Sequence, residues 1–340
     1  MTRENIRSMG NNRPFLLKPA AKDYLWGGNR LNDDFGKNID VHPLAETWEC
    51  STHPDGPSTA ATGEYQGMTL TEVLREHPDF LGAHGSLYGS EENPLPVLIK
   101  FIDAAKDLSI QVHPDDLYAK EHEHGQLGKT EMWYVLDASK EVSLIYGMRR
   151  DVTREELKQR LLNGTAEPLF QRVSVAKNDV FVIEPGTIHA IGAGALIAEI
   201  QESSNLTYRL YDYNRVDKNG RKRPLHIEKA LDVADLKAKK EPVQPMRVLR
   251  YRPGCANELL YRCRYFQTER MILNTQKTRN MVEYQTDGLS FAVFLCVEGC
   301  GTLFAGNEPL NFYKGDCIFV PANSMPIQLH GMAQILKVTC

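Results

Sequence analysis

No Cys-x-x-Cys pair occurs among the seven cysteines of this 340-residue chain, and an odd number cannot all pair within it. A disulfide framework is therefore not expected, and a reduced, cytoplasmic protein is the simplest account. Residues 1–13 are polar and lack the apolar stretch of a secretory signal. No apolar run approaches the length that crosses a bilayer. A basic excess is missing too: 40 Lys and Arg stand against 44 Asp and Glu, for a net charge of -4. That balance argues against a general nucleic-acid or membrane-surface binder, while leaving room for a local basic pocket that takes a phosphorylated small molecule. Hydrophobic residues make up 42% of the chain, enough for a sizeable core.

What is present is a succession of short apolar runs separated by Gly, Pro, Asn and Asp. The clearest lie at 97–102, 108–113, 132–136, 180–183, 196–200 and 206–211, then at 290–297, 302–304, 317–320 and 334–338. Many short strands with turn signals predict sandwiches or closed barrels rather than βαβ units. Two helices are expected where Thr69 with Glu72, and Thr153 with Glu156, form candidate capping boxes; His77-Pro78 and Asn163-Gly164 are their stops. A faint repeat relates Lys177-Asn178-Asp179 and its following strand to Lys314-Gly315-Asp316 and its own. The first copy leads into Glu184-Pro185-Gly186-Thr187-Ile188-His189, whereas the second leads into Pro321-Ala322-Asn323-Ser324-Met325 and has no histidine. Two barrels are thus expected, with only the first equipped for chemistry. A Lys/Arg-rich segment from about 214 to 245 reads as a solvated helix and linker, which places the domains at 1–245 and 246–340.

The run Leu108-Ser109-Ile110-Gln111-Val112-His113-Pro114 carries the most chemistry. As a strand it puts Leu108, Ile110 and Val112 on one face and Ser109, Gln111 and His113 on the other. A polar face looking into a cavity calls for an ion or a polar ligand. Glu131 follows 18 residues after His113, with Lys129 and Trp133 on its face by parity, and His189 follows 58 residues later. Two imidazoles with a carboxylate and an amide oxygen suit zinc, and do not exclude iron, cobalt or manganese. The cluster His122-Glu123-His124 and the residues Cys50 and His53 have no partner at a spacing that demands proximity.

Gln-x-His, a downstream carboxylate and a histidine after Pro-Gly form a cupin metal-site layout. Together with Tyr24-Leu25-Trp26-Gly27-Gly28, Pro96 to Lys100, Leu108 to Asp115, Gly128 to Tyr134, Pro185 to Ala190, and Glu199 through Asn205 to Arg209, they make the chain resemble the type I phosphomannose isomerases, in their shorter bacterial form. The match runs in order through most of residues 15–230; the last hundred residues resemble the family's second cupin barrel more loosely. The resemblance implies a mainly β fold of two cupin-type jelly-roll barrels, with a few helices packed on the first. It implies one zinc ion per chain, held by Gln111, His113, Glu131 and His189. Arg209, Lys129 and Glu199 fall on active-site positions, and Ser109 and Lys100 on positions near the substrate and its phosphate. The sequence between the barrels is short, which leaves little room for the helical domain of longer relatives.

The activity implied is reversible conversion of mannose 6-phosphate to fructose 6-phosphate through an enediol(ate), in a monomer or weak homodimer that binds neither nucleic acid nor membrane. Glu199 is the first candidate for the proton-transfer base, with Lys129 behind it. Read from the residues alone, Arg209 pairing with Asp212 or Glu202, Lys129 as an exposed turn lysine, and Glu199 in a barrel-end ion pair all stay open. Two other functions do as well: a non-catalytic sugar-phosphate-binding cupin, and a metal-dependent cupin oxygenase.

Overall fold

The computed structural model describes residues 12–216, 219–278 and 280–340. Most of the polar stretch 1–13 lies outside the described residues. The chain is mainly β and cupin-like, built from three antiparallel sheets of six, five and ten strands. Among the described residues, no helix is long and apolar enough to cross a membrane.

The six-stranded sheet is the middle layer. Its central strands Val97–Ala104 (VLIKFIDA) and Ala195–Glu202 (ALIAEIQE) are buried at every position, which explains runs that are nearly continuous rather than alternating in polarity. One face, with Ile99, Phe101, Tyr134 and Ile200, packs against Val293, Phe319 and Val338 of the ten-stranded sheet and against Phe291 just before it. The other face, with Ile102, Trp133, Val135 and Ile197, packs against Leu144, Tyr146 and Val173 of the five-stranded sheet. The outer face of that third sheet buries Ile110, Val112 and Leu210 beneath the helices Arg154–Leu162 and Ile227–Val233. Lys100, Asp103, Glu199 and Glu202 are therefore charged residues inside strands that have no solvent face.

The first unit is two facing sheets, the cupin-like arrangement expected. Several expectations need correction. The expected strands 290–297 and 302–304 are one strand, Ala292–Ala305, which passes through a register shift between Cys296 and Glu298. The box at Thr69 forms in full, with Thr69 accepting from the Glu72 N–H and Glu72 accepting from the Thr69 N–H. At Thr153 only half forms, because the Glu156 carboxylate turns to Arg150. The repeat is structural: Asn178 and Gly315 both take positive φ, and Asp179 and Asp316 each accept a backbone N–H three residues earlier, at 2.8 Å.

One pairing had no local signal. Strand Phe15–Lys18 leaves the first half of the sequence and joins the ten-stranded sheet beside Cys317–Val320, bringing Thr59–Ala60 with it. The interior of that sheet is filled by Met271, Leu273, Phe294, Leu303, Phe312 and Ile335.

Candidate active site

The site forms where the five- and six-stranded sheets face each other. In the five-stranded sheet, Gln111 lies in register with His189 on one side and Arg209 on the other. In the six-stranded sheet, Trp133, Glu199, Lys100 and Trp48 form a matching row across four strands. Side chains in register on one face are neighbours, so each row presents its polar groups to the other. The strand around Gln111 is shorter than expected, covering only Ile110–Val112. Leu108 lies before it and packs with Trp26 and Ile102 on the inner side, so the alternation does not reach it. A register shift after Arg209 likewise turns Tyr211 to the outer core, away from the Arg209 side.

His113, Glu131 and His189 are all buried, and their ligand atoms lie within 4.8 Å of one another; it is the one such cluster among the described residues. His113 Nδ1 is 2.7 Å from the Leu206 carbonyl and His189 Nδ1 is 2.8 Å from the Thr187 carbonyl. A carbonyl only accepts, so each Nδ1 carries the proton and each Nε2 turns a lone pair inward. Glu131 Oε1 is 3.3 Å from His113 Nε2, and Oε2 is 3.8 Å from His189 Nε2. Oε1 is 2.6 Å from Lys129 Nζ in an ion pair, and Oε2 has no hydrogen-bond partner. Four inward acceptors in a buried pocket, one of them the unpartnered Glu131 Oε2, are what a divalent cation requires. The residues therefore fit a metal. Gln111 abuts the trio with Nε2 3.4 Å from His189 Nε2, and half a turn of its amide presents the oxygen instead.

Burial and the neighbouring Lys129 push His113 down to about 3, and burial also lowers His189. For Glu131, burial acts to raise the carboxyl, but Lys129 and the histidines outweigh it and hold the group well below its ordinary range. Glu199 is raised, by burial first and Glu131 second, against the pull of Lys100. Its Oε1 accepts from Lys100 Nζ and its Oε2 from Trp133 Nε1, both at 2.9 Å. Lys100 is also 4.0 Å from Glu46. Arg209 pairs with neither carboxylate considered from sequence: Asp212 is taken by Arg215 and Arg223, and Glu202 by Thr130. Arg209 donates to Ser109 Oγ at 3.2 Å and to the Pro224 carbonyl at 3.0 Å. Lys129 is buried, not an exposed turn residue.

The segment that presents Lys129 and Glu131 is pinned from several sides. The Gly128 N–H donates to Asp116 Oδ1 at 2.9 Å, and a Cβ on Gly128 would come within 2.4 Å of the Asp116 nitrogen. Asp116 also accepts from Tyr265 Oη at 2.6 Å, so the C-terminal sheet reaches this loop. Thr130 N–H donates to Glu202 Oε1 at 2.7 Å. Burial, chiefly, and Asp116 push the Glu202 carboxyl up to about 7, against the hydrogen bonds from Thr130. Between its ordinary value of 4.5 and that value, the folded protein holds a proton that the unfolded chain has lost. Stability should therefore fall as pH rises from about 4.5 to about 7, then level off. Glu202→Gln keeps a carbonyl for Thr130 and supplies a donor toward Asp116, so it should flatten that decline. Urea midpoints measured across this window test the point, and an unchanged slope in the variant would refute it.

These groups enclose a cavity of about 240 Å³. Of the residues singled out from sequence, Lys100, Ser109, Gln111, Lys129, Glu199 and Arg209 line it, with the His113–Glu131–His189 cluster against it through Gln111 and Lys129. Tyr24, Trp26, Glu46, Asn205, Thr207 and Arg223 also line it and had been given no role. The rival clusters resolve as structure: His122 stacks on Tyr118, and Glu123 binds Tyr208 and Lys229. His53 caps its own turn by accepting the Asp55 N–H. A larger hollow of about 510 Å³, lined in part by His84, Cys263, Phe266 and Tyr284, has no comparable cluster.

Residues 15–143 match the family model of the phosphomannose isomerase type I catalytic domain, and residues 258–340 that of the mannose-6-phosphate isomerase cupin domain. The chain is 36% identical to mannose-6-phosphate isomerase ManA of Bacillus subtilis, over 95% of this chain and 98% of that protein. It is 35% identical to the mannose-6-phosphate isomerase of Streptococcus mutans, over 95% and 97% of the two chains. The crystal structure of a Bacillus subtilis mannose 6-phosphate isomerase superposes with a TM-score of 0.86, at 34% identity, over 96% of this chain and 99% of that one.

Proposed function

The chain belongs to the type I phosphomannose isomerases, and on that premise we propose that it interconverts mannose 6-phosphate and fructose 6-phosphate using one zinc ion held by Gln111, His113, Glu131 and His189. The observation that carries this reading is the buried set of inward-facing acceptors on His113, Glu131 and His189. Zinc bound there would supply the positive charge that polarises the sugar oxygens.

The chain's own residues account for the rest. An aldose–ketose interconversion moves a proton between C2 and C1 while an enediol(ate) carries the developing negative charge. Arg209 has no carboxylate partner among its hydrogen bonds, so its charge is available to stabilise that oxygen. Glu199, raised by burial, is assigned to the carbon-bound proton, since a base works best when its pKa approaches the working pH. Lys129 is the second candidate. Lys100 fixes Glu199 through Oε1, and Ser109 and Lys100 contact the substrate from opposite sheets. Residues 1–245 form the catalytic domain in this reading, and residues 246–340 support it by packing. All seven cysteines are unpaired, in keeping with a cytoplasmic setting.

Metal analysis and an assay of fructose 6-phosphate formed from mannose 6-phosphate test the proposal together. About one zinc per chain is expected, with turnover lost on chelation and regained on adding zinc. Full turnover by metal-stripped protein would overturn the metal reading.

A further inference from the structure

Charge is distributed unevenly along the cavity. Its buried end holds two cations, Lys100 and Lys129, against three carboxylates, Glu46, Glu131 and Glu199. At the half-buried end Arg209 and Arg223 line the wall, and Arg215 stands behind them. Among the described residues those three guanidiniums have one carboxylate partner, Asp212, which Arg215 and Arg223 share and Arg209 does not touch. Two positive charges are left over.

Like charges held together out of water are unfavourable without a counter-charge. Arg215 and Arg223 are only 17% and 22% exposed, and Arg215 Nε is buried with no acceptor. Burial and then repulsion from Arg223 weaken the hold of Arg209 on its proton. An anion carrying two negative charges in the cavity would offset the surplus charge.

A sequence of contacts fixes where that anion would sit relative to the reacting end. Gln111 adjoins His189; Ser109 Oγ is 3.5 Å from Gln111 Oε1; Arg209 Nε is 3.2 Å from Ser109 Oγ; and Arg209 reaches the carbonyl of Pro224, the residue after Arg223. Arg223 thus lies beyond Arg209 from the metal-holding trio, as the 6-phosphate lies beyond C1 and C2 of a hexose. We propose that Arg223 is a specificity-determining residue that holds the 6-phosphate of the substrate, together with Ser109 and in place of Lys100, whose charge is committed to Glu199 and Glu46. Asp212 is then a positioning residue: it grips Arg223 through Nε and Nη2 and leaves Nη1 for the phosphate. The assignment rests on the isomerase reading above.

The test compares wild type, Arg223→Ala and Arg223→Lys in their zinc-loaded forms. The KM for mannose 6-phosphate should rise at least tenfold in Arg223→Ala, and by more than kcat falls. Inorganic phosphate, used as a competitive inhibitor of turnover and as a ligand followed by phosphorus NMR, should bind at least tenfold more weakly. Arg223→Lys keeps the charge but loses the planar fork, so it should fall between the two. It carries the test if the alanine variant does not fold. A wild type without isomerase activity would overturn the function itself. An active wild type, with variants whose KM and phosphate binding match it, would overturn only the role of Arg223. A loss confined to kcat would overturn it as well.

Discussion

Glu131→Ala is expected to empty the metal site and reduce turnover by about three orders of magnitude or more, the scale on which removing transition-state electrostatics is felt. Glu131 is the only carboxylate of the trio, and it is fully buried. Its removal leaves two neutral imidazoles and an amide, a set with no negative charge to offset a dication. The change also strands Lys129, whose Nζ sits 2.6 Å from the lost oxygen in a pocket that solvent barely reaches. Breaking a buried pair in this way costs about 3–5 kcal/mol, so the variant should melt earlier as well. Glu131→Gln keeps the volume and removes only the charge, so the loss of metal and the stranded Lys129 should both persist without the cavity that alanine leaves. Zinc per chain, unfolding temperature and kcat should be measured together. A metal-free Glu131→Ala protein with full activity would refute the ligand assignment.

Arg209→Ala should give the opposite pattern on metal: zinc content unchanged and turnover down about a hundred- to a thousandfold. Arg209 touches no atom of the trio; it bonds Ser109 Oγ and the Pro224 carbonyl. Its removal also eases the crowding with Arg215 and Arg223, so no large loss of stability is expected. Arg209→Lys should recover part of the rate, because the charge returns without the fork. A variant that loses zinc along with activity would show that Arg209 acts through the fold of the metal site instead. The contrast with Arg223 is in the kinetics, since loss at Arg209 should fall on kcat and loss at Arg223 on KM.

Much of the candidate metal set was legible because strand parity is a local rule. Gln111 and His113 could be placed on one face from spacing alone, and Glu131 with Lys129 likewise. The limits of the rule are visible at Leu108 and Tyr211, where the strand has not begun or has slipped, so the alternation fails. Arg223 was hidden in a basic run whose composition matches any solvated linker; only folding shows that Asp212 draws it against the cavity. The layering of three sheets was equally hidden, since a run such as VLIKFIDA records that both faces are covered without saying by what. The half-formed box at Thr153 shows a local motif losing to a competitor, Arg150, that the motif does not include.

The union of the strand at Phe15–Lys18 with Cys317–Val320 also sets a timetable for the newborn chain. Leu17 pairs with Cys317, 300 positions later, and a ribosome adding about 5–20 residues per second needs about 15–60 s to make that length. Throughout that interval the Phe15–Lys18 strand has only the two-residue strand Thr59–Ala60 beside it, and the apolar face of Ile99, Phe101 and Tyr134 awaits its cover. The nascent protein must stay soluble with its central layer half dressed, and its last sheet is completed by a strand made near the start of synthesis.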